Sequence, residues 1–273
     1  MTAPAILVTV EAALGSTPRE AGAWMVVGEA GIEGTIGGGA LEHRAMERAR
    51  EMLAEGVERA DLSLPLGPTL DQCCGGHATL RLRRLTPALR ADLDARLADE
   101  RAGLPLVMLY GAGHVGKAVA AALGPLPCRV SWLDGRAEMF PATLPANAER
   151  RVAGDLPAVA AGAPGGAFHL VMTHSHPLDL AVCGAVLRGP RFAWLGLIGS
   201  ATKRARFESR LKAAGIESQN LARLVCPIGI GGIEGKEPAV IAASVAAQLL
   251  MAFEARKKRQ GLETDGRHGH ATA

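Results

Sequence analysis

The chain opens in short apolar bursts of strand length and changes its pattern near Gly103. "AILVTVEA" (5–12) and "AWMVVGE" (23–29) are β-rich runs separated by turn chemistry at Gly15, Ser16, Thr17 and Pro18, which predicts two strands. From 41 to 54, Leu41, Ala45, Met46, Ala49, Met52 and Leu53 share one helical face, with Glu42, Arg44, Glu47, Arg48 and Arg50 elsewhere. An amphipathic helix therefore leaves the glycine-rich "GTIGGGALEH" (34–43). "HATLRLRRL" (77–85) alternates apolar and basic residues, as a half-exposed strand does, and a polar helix over 87–101 turns Ala88, Leu89, Leu93 and Leu97 inward.

Beyond Gly103 the apolar runs become nearly continuous. "LPLVMLY" (104–110), "CRVSWLD" (128–134), "FHLVMTH" (168–174) and "FAWLGLIG" (192–199) have the composition of strands buried on both faces. Helical patterns at 113–123, 178–188, 200–214 and 237–256 lie between and after them. That alternation predicts a doubly wound parallel sheet. The fold class expected is α/β: a C-terminal Rossmann-like domain over 104–258, preceded by a smaller α+β domain over 1–103 and followed by a polar, disordered tail over 259–273.

Composition narrows the function classes. Apolar residues make up 48% of the 273-residue chain and aromatics only 3%, so the core is built from Ala, Val, Leu and Ile. A net charge of +3 with both signs interspersed gives no basic stripe, and few rings are present to stack on bases, so nucleic acid is not an expected partner. The N-terminus lacks the charge and apolar pattern of a signal peptide, and no segment reaches about 18 uninterrupted apolar residues, which points to a cytoplasmic protein with no membrane partner. Cys73, Cys74, Cys128, Cys183 and Cys226 do not have the spacing of a disulfide framework and are expected to be reduced.

Five segments carry candidate chemistry. The strand at 104–110 runs into Gly111-x-Gly113-x-x-Gly116 at the start of a helix, with His114 inside the loop and Asp134 ending the next strand. This is the dinucleotide fingerprint, and Asp134 would favour NAD over NADP; the same glycines also serve a βα turn without any nucleotide. Gly37, Gly38 and Gly39 form a second glycine loop at a helix start, suited to a phosphate or carboxylate, or simply to a turn needing positive φ. "THSHPLD" (173–179) offers His174, His176 and Asp179 as a metal trio or a hydrogen-bonding rim. Ser200 caps a helix bearing Lys203, Arg204 and Arg206 at the carboxyl edge of the sheet. "DQCCGG" (71–76) places Cys73 and Cys74 side by side between Gln72 and Gly75. Adjacent cysteines suit neither a zinc site nor an unstrained bridge, which leaves one exposed thiolate for a soft metal or for sulfur, or two small residues beside a turn.

Taken in order, "GSTPREAGAWMVV", "GTIGGGALE", "CCGG", "YGAGHVGKAVA", "THSHPLD", "GLIGSATKRARF" and "CPIGIGG" resemble the xanthine dehydrogenase accessory proteins, over about residues 8–250. The resemblance implies a chaperone rather than an enzyme. Such a protein binds the molybdenum cofactor, protects it while a cysteine desulfurase supplies the terminal sulfido ligand, and inserts it into apo xanthine dehydrogenase. Cofactor biosynthesis proteins and a second copy of the chain are further partners it implies. Cofactor-binding candidates are then Gly37, Gly38, Gly39, Gln72, Cys73, Cys74, Gly75, Gly111, Gly113, His114, Gly116, Asp134, His174, Ser200 and Lys203, with Cys73 or Cys74 toward the molybdenum. The chain departs from the family pattern at Ser175, where an Asp is usual, and in the longer stretch from Ile230 to Pro238, both of which weaken a metal at His174 and His176. Two other readings stay open: an NAD-dependent oxidoreductase using the Gly111–Gly116 loop, and a metal-dependent hydrolase at His174, His176 and Asp179.

Overall fold

The structure is a computed structural model that describes residues 3–29, 31–66, 76–189 and 191–268, with side chains as far as Gln260. It divides into two compact units, Met1–Ala98 and Asp99–Ala273.

In the first unit, strands β1 (Ala5–Leu14), β2 (Trp24–Gly28), β3 (Gly31–Thr35), β4 (Arg59–Leu66) and β5 (Gly76–Arg84) form an antiparallel sheet in the order β3-β2-β1-β5-β4. The alternation along β1 explains why it is central. Ile6, Val8 and Val10 bury one face of the sheet against Leu41, Ala45, Ala49 and Met52 of helix α1 (Gly39–Glu55). Ala5 and Leu7 bury the other, where Leu93 of helix α2 (Pro87–Gly103) covers them, with Leu89 and Leu97 beside it. In β5 the apolar residues Ala78, Leu80 and Leu82 point into the core and the intervening arginines do not, as the alternation predicts.

The second unit holds a six-stranded parallel sheet of β6 (Leu106–Tyr110), β7 (Arg129–Asp134), β8 (Ala148–Val152), β9 (Phe168–Val171), β10 (Trp194–Leu197) and β11 (Leu224–Val225). Their order is β11-β10-β9-β6-β7-β8, so counting from β6 the sheet runs 3-2-1-4-5-6 across, the doubly wound order with its reversal between β6 and β9. Val107 and Leu109 of β6 face helices α3 (His114–Leu123) and α8 (Pro238–His268), while Met108 and Tyr110 face α5 (His176–Arg188) and α6 (Ala201–Ala213). Two short helices, α4 (Leu156–Ala161) and α7 (Ser218–Leu221), also belong to this unit.

Two features differ from the sequence reading. Strands β3, β4, β8 and β11 were not anticipated; β3 and β8 are edge strands with almost no buried side chain, so they leave no apolar signature. Helix α8 does not stop near 256 but runs to His268, because the polar residues after Met251 include Glu254, Arg256, Lys257, Lys258 and Arg259, all good helix formers. The tail expected from 259 is thus helical as far as the described residues reach. Over Pro238–Gln260 this helix is long and apolar enough to cross a bilayer, yet Ala242, Val245, Leu249 and Phe253 form a stripe packed into the core beside α3.

Candidate functional site

The reversal of strand order brings the loop after β6 next to the loop after β9, at the carboxyl edge where doubly wound sheets bind ligands. Each glycine of the first loop has a distinct role. Gly111 has φ 115°, and a Cβ there would overlap the Met172 carbonyl; the Trp132 indole donates to the Gly111 carbonyl at 2.9 Å. A Cβ on Gly116 would overlap that same carbonyl, so Gly116 lets α3 pack on the strand. Gly113, the N-cap of α3, has nothing within 4 Å of where a Cβ would sit. It is the open position, and His114 beside it is exposed. A helix start with that opening can receive an anion from solvent.

Asp134 is not arranged to receive a ribose. It is 2% exposed, and its carboxylate already accepts four hydrogen bonds. Oδ1 takes the Arg136 backbone N–H at 3.0 Å and Nε at 2.9 Å, while Oδ2 takes the Ala112 N–H at 2.8 Å and Arg136 Nη2 at 3.0 Å. Burial raises its pKa, but the Arg136 guanidinium and the two backbone donors outweigh burial and hold the carboxyl below its usual value.

The loop after β9 is built on a buried ion pair. Asp179, fully buried, accepts from Thr173 N at 2.9 Å and Thr173 Oγ1 at 2.7 Å through Oδ1, and from Lys203 Nζ at 2.8 Å through Oδ2. Lys203 also donates to the Ile198 carbonyl at 2.8 Å, and its side chain is only 11% exposed. The trio His174, His176 and Asp179 is therefore split: both histidines are exposed, and the carboxylate points inward. No group of three metal-ligating side chains occurs among the described residues. Lys203 is likewise turned into the fold and not toward a ligand. Ser200 caps α6 by accepting from Lys203 N at 3.2 Å, and a groove of about 820 Å³ beside it is lined by His176, Ser200, Thr202, Arg206 and Arg210.

Gly37, Gly38 and Gly39 all have positive φ, of 120°, 77° and 65°. Their loop already holds an anion, the chain's own Glu42. Its carboxylate accepts from Ile36 N at 3.0 Å and from the Thr35 hydroxyl, which itself accepts from Gly37 N at 3.1 Å. Burial raises the Glu42 pKa, but the Thr35 hydroxyl and the N–H groups of Gly38, Ile36 and Gly37 more than compensate and lower it. Sequence reasoning missed this partner, although an acid a few residues into a helix that follows a glycine loop is a recognisable signal.

Cys128, Cys183 and Cys226 are buried free thiols. Burial pushes Cys128 up to about 11 and also raises Cys183 and Cys226, so none of the three is a ready thiolate at neutral pH. Gln72, Cys73, Cys74 and Gly75 lie outside the described residues.

Comparison with known proteins gives two family matches. Residues 107–249 match the XdhC Rossmann domain, and residues 2–63 match the XdhC and CoxI family. The protein YqeB of Escherichia coli is 27% identical over 240 residues; the alignment covers 86% of this chain, which spans only 41% of that relative's length. The crystal structure of a xanthine dehydrogenase from Bacillus halodurans superposes with a TM-score of 0.75 over 94% of this chain and 93% of that one, at 18% identity, a likeness of fold.

Proposed function

We propose a role for this chain from one premise: it belongs to the XdhC family. It acts in xanthine dehydrogenase maturation as a carrier that holds the molybdenum cofactor, shields it during sulfuration by a cysteine desulfurase, and delivers it to apo xanthine dehydrogenase. It is an accessory factor working in the cytoplasm, as a homodimer, and it receives its cargo from cofactor biosynthesis proteins.

The observation that carries this reading is the loop Gly111–Gly116, in which two glycines are consumed by packing and Gly113 alone is left open at the start of α3. The cargo ends in a phosphate, and a helix N-terminus with an accessible backbone favours such a group without a fixed covalent or metal tether. A carrier has to release what it holds. His114, His174 and Ser200 edge the same end of the sheet and supply hydrogen bonds of moderate strength. Molybdenum and its dithiolene also call for a soft ligand, a part the reading assigns to Cys73 or Cys74. The glycine loop at Gly37–Gly39 is left out of phosphate binding in this reading, since Glu42 already fills it.

The test is retention of cargo. Apoprotein is incubated with freshly released cofactor and passed through gel filtration, and molybdenum and pterin are measured in the protein peak for the wild type and for Cys73→Ala, Cys74→Ala and Gly113→Val. Near-stoichiometric retention in the wild type, reduced in Gly113→Val and in one cysteine variant, is the expected result. A wild type that retains neither molybdenum nor pterin removes the proposal.

A further inference from the structure

We infer that Arg136 is a specificity-determining residue that closes the ribose position of the Rossmann unit, so that the Gly111–Gly116 loop discriminates against adenine dinucleotides. An ionised carboxylate offers about four lone-pair positions. At Asp134 the Ala112 N–H, the Arg136 N–H, Arg136 Nε and Arg136 Nη2 fill all four, at 2.8 to 3.0 Å. Nothing remains for the two hydroxyls of a ribose, which in a dinucleotide-binding Rossmann domain are read by this acid.

The closure is built in two steps from three consecutive residues. Asp134, Gly135 and Arg136 leave β7 in a turn in which the carboxylate accepts the N–H two residues on, a local motif natural to Asp. That turn sets the Arg136 side chain against the same carboxylate, and the guanidinium clamps it with Nε and Nη2 on different oxygens. The Ala112 N–H then ties the acid to the glycine loop itself. Displacing Arg136 to admit a ribose would break a two-pronged, charge-assisted contact to a carboxylate that is almost wholly buried. With its side chain 34% exposed, Arg136 presents positive charge at the mouth where a neutral diol would have to enter. Discrimination comes here from removing the acceptor that the wrong ligand needs, rather than from contacts with the right one. The inference rests on the reading above only for the identity of the ligand that does bind; the exclusion of dinucleotides stands on the geometry of Asp134.

The experiment titrates NADH, NADPH and inorganic pyrophosphate by calorimetry into the wild type, Asp134→Asn, Arg136→Ala, Arg136→Gln and the double variant Asp134→Asn/Arg136→Ala. Each protein is checked for native helix content and a cooperative thermal transition. Expected is a wild type that binds NADH and NADPH no tighter than pyrophosphate. In Arg136→Ala the preference for NADH over pyrophosphate rises about tenfold or more as the ribose acceptor is uncovered, and the double variant loses that gain. Arg136→Gln, too short and uncharged to hold both oxygens, shifts the same way and keeps the test open if the alanine variant is unstable. Three results overturn the inference: a wild-type preference for NADH that Asp134→Asn removes, NADPH binding that depends on Arg136, or no gain in either Arg136 variant. Failure of cofactor retention in gel filtration, by contrast, sinks the carrier reading and leaves this discrimination intact.

Discussion

Replacing Lys203 by Met separates the charge of this side chain from its volume. In the wild type its ammonium joins Asp179 Oδ2 and the Ile198 carbonyl, each at 2.8 Å, and lies over the Phe207 ring, 5.3 Å from its centroid. Methionine keeps the stem and deletes the charge. Among the described residues, Asp179, whose side chain is 1% exposed, is then left with Thr173 as its donor on Oδ1 and with none on Oδ2. Breaking one side of a buried pair costs about 3–5 kcal/mol, far above the roughly 0–1 kcal/mol of a surface pair. At about 2–4 °C per kcal/mol for a domain of this size, the Rossmann unit should melt roughly 10 °C lower. The assay is guanidinium unfolding in a Trp24→Phe background, where the fluorescence comes from Trp132 and Trp194, both in that unit. The double variant Asp179→Asn/Lys203→Met should recover part of the loss, because an amide can still accept from Thr173 and no uncompensated charge remains. A loss below about 1 kcal/mol in Lys203→Met, or a double variant no more stable than the single, would refute a buried, mutually dependent pair.

Three further outcomes follow from the same geometry. Gly113→Ala should fold with stability within about 0.5 kcal/mol of wild type, whereas Gly111→Ala and Gly116→Ala should each lose about 2 kcal/mol or more by thermal melting, since their Cβ atoms strike backbone carbonyls. His169 is buried and its Nδ1 is hydrogen-bonded with the Tyr110 hydroxyl at 3.0 Å; burial lowers its pKa to about 4 from 6.5, so the unfolded chain binds the extra proton first. Stability of the Rossmann unit should therefore fall as pH drops from 6.5 toward 4, by up to about 1.4 kcal/mol per pH unit, and urea titrations of His169→Gln across that range should lack this slope. Labelling of the native protein with a thiol-reactive dye at pH 7 should be slow at Cys128, Cys183 and Cys226; any fast thiol should vanish in the Cys73→Ala/Cys74→Ala variant, and fast labelling that survives there contradicts the burial argument.

The parts of the fold legible in the sequence are those in which burial dictates composition. β6, β7, β9 and β10 are covered on both faces, so each reads as a nearly continuous apolar run, and the spacing of Gly111, Gly113 and Gly116 announces a strand-to-helix turn. Edge strands obey no such constraint: β8, "AERRV", has four of its five residues exposed and looks like a loop. β4 was readable, since Ala60, Leu62, Leu64 and Leu66 alternate, but Pro65 inside the run hid it. The site was half legible for a similar reason. Positions fixed by backbone geometry show in the residue type, because only glycine fits them. The partner of a carboxylate does not show, since Lys203 reaches Asp179 from 24 residues away across the ends of two strands. Arg136 lies closer, two residues from Asp134, and "DGR" after a buried strand is a pattern that could have flagged a self-paired acid.

These self-pairings decide what the carboxyl edge of the sheet presents to a ligand. Asp134 is matched by Arg136 and Asp179 by Lys203, and both acids are buried, so neither repels an anion arriving at the loops after β6 and β9. The exposed groups there are the opening at Gly113, His114, His174 and His176, with Arg206 and Arg210 along the groove beside Ser200. A nucleotide-using Rossmann domain keeps one acid free at this edge to grip a ribose; here that acid is sequestered, and the loops after β6 and β9 expose histidines and backbone donors rather than a carboxylate. Such a surface favours a ligand that carries negative charge and does not depend on a diol. If that balance sets affinity, raising salt from 50 to 300 mM should weaken retention of a phosphate-bearing ligand by the wild type, because screened surface cations lose reach. In Arg206→Ala/Arg210→Ala the retention should already be weaker at low salt and change less as salt rises. Equal salt dependence in the two proteins would assign the attraction to the Gly113 backbone alone.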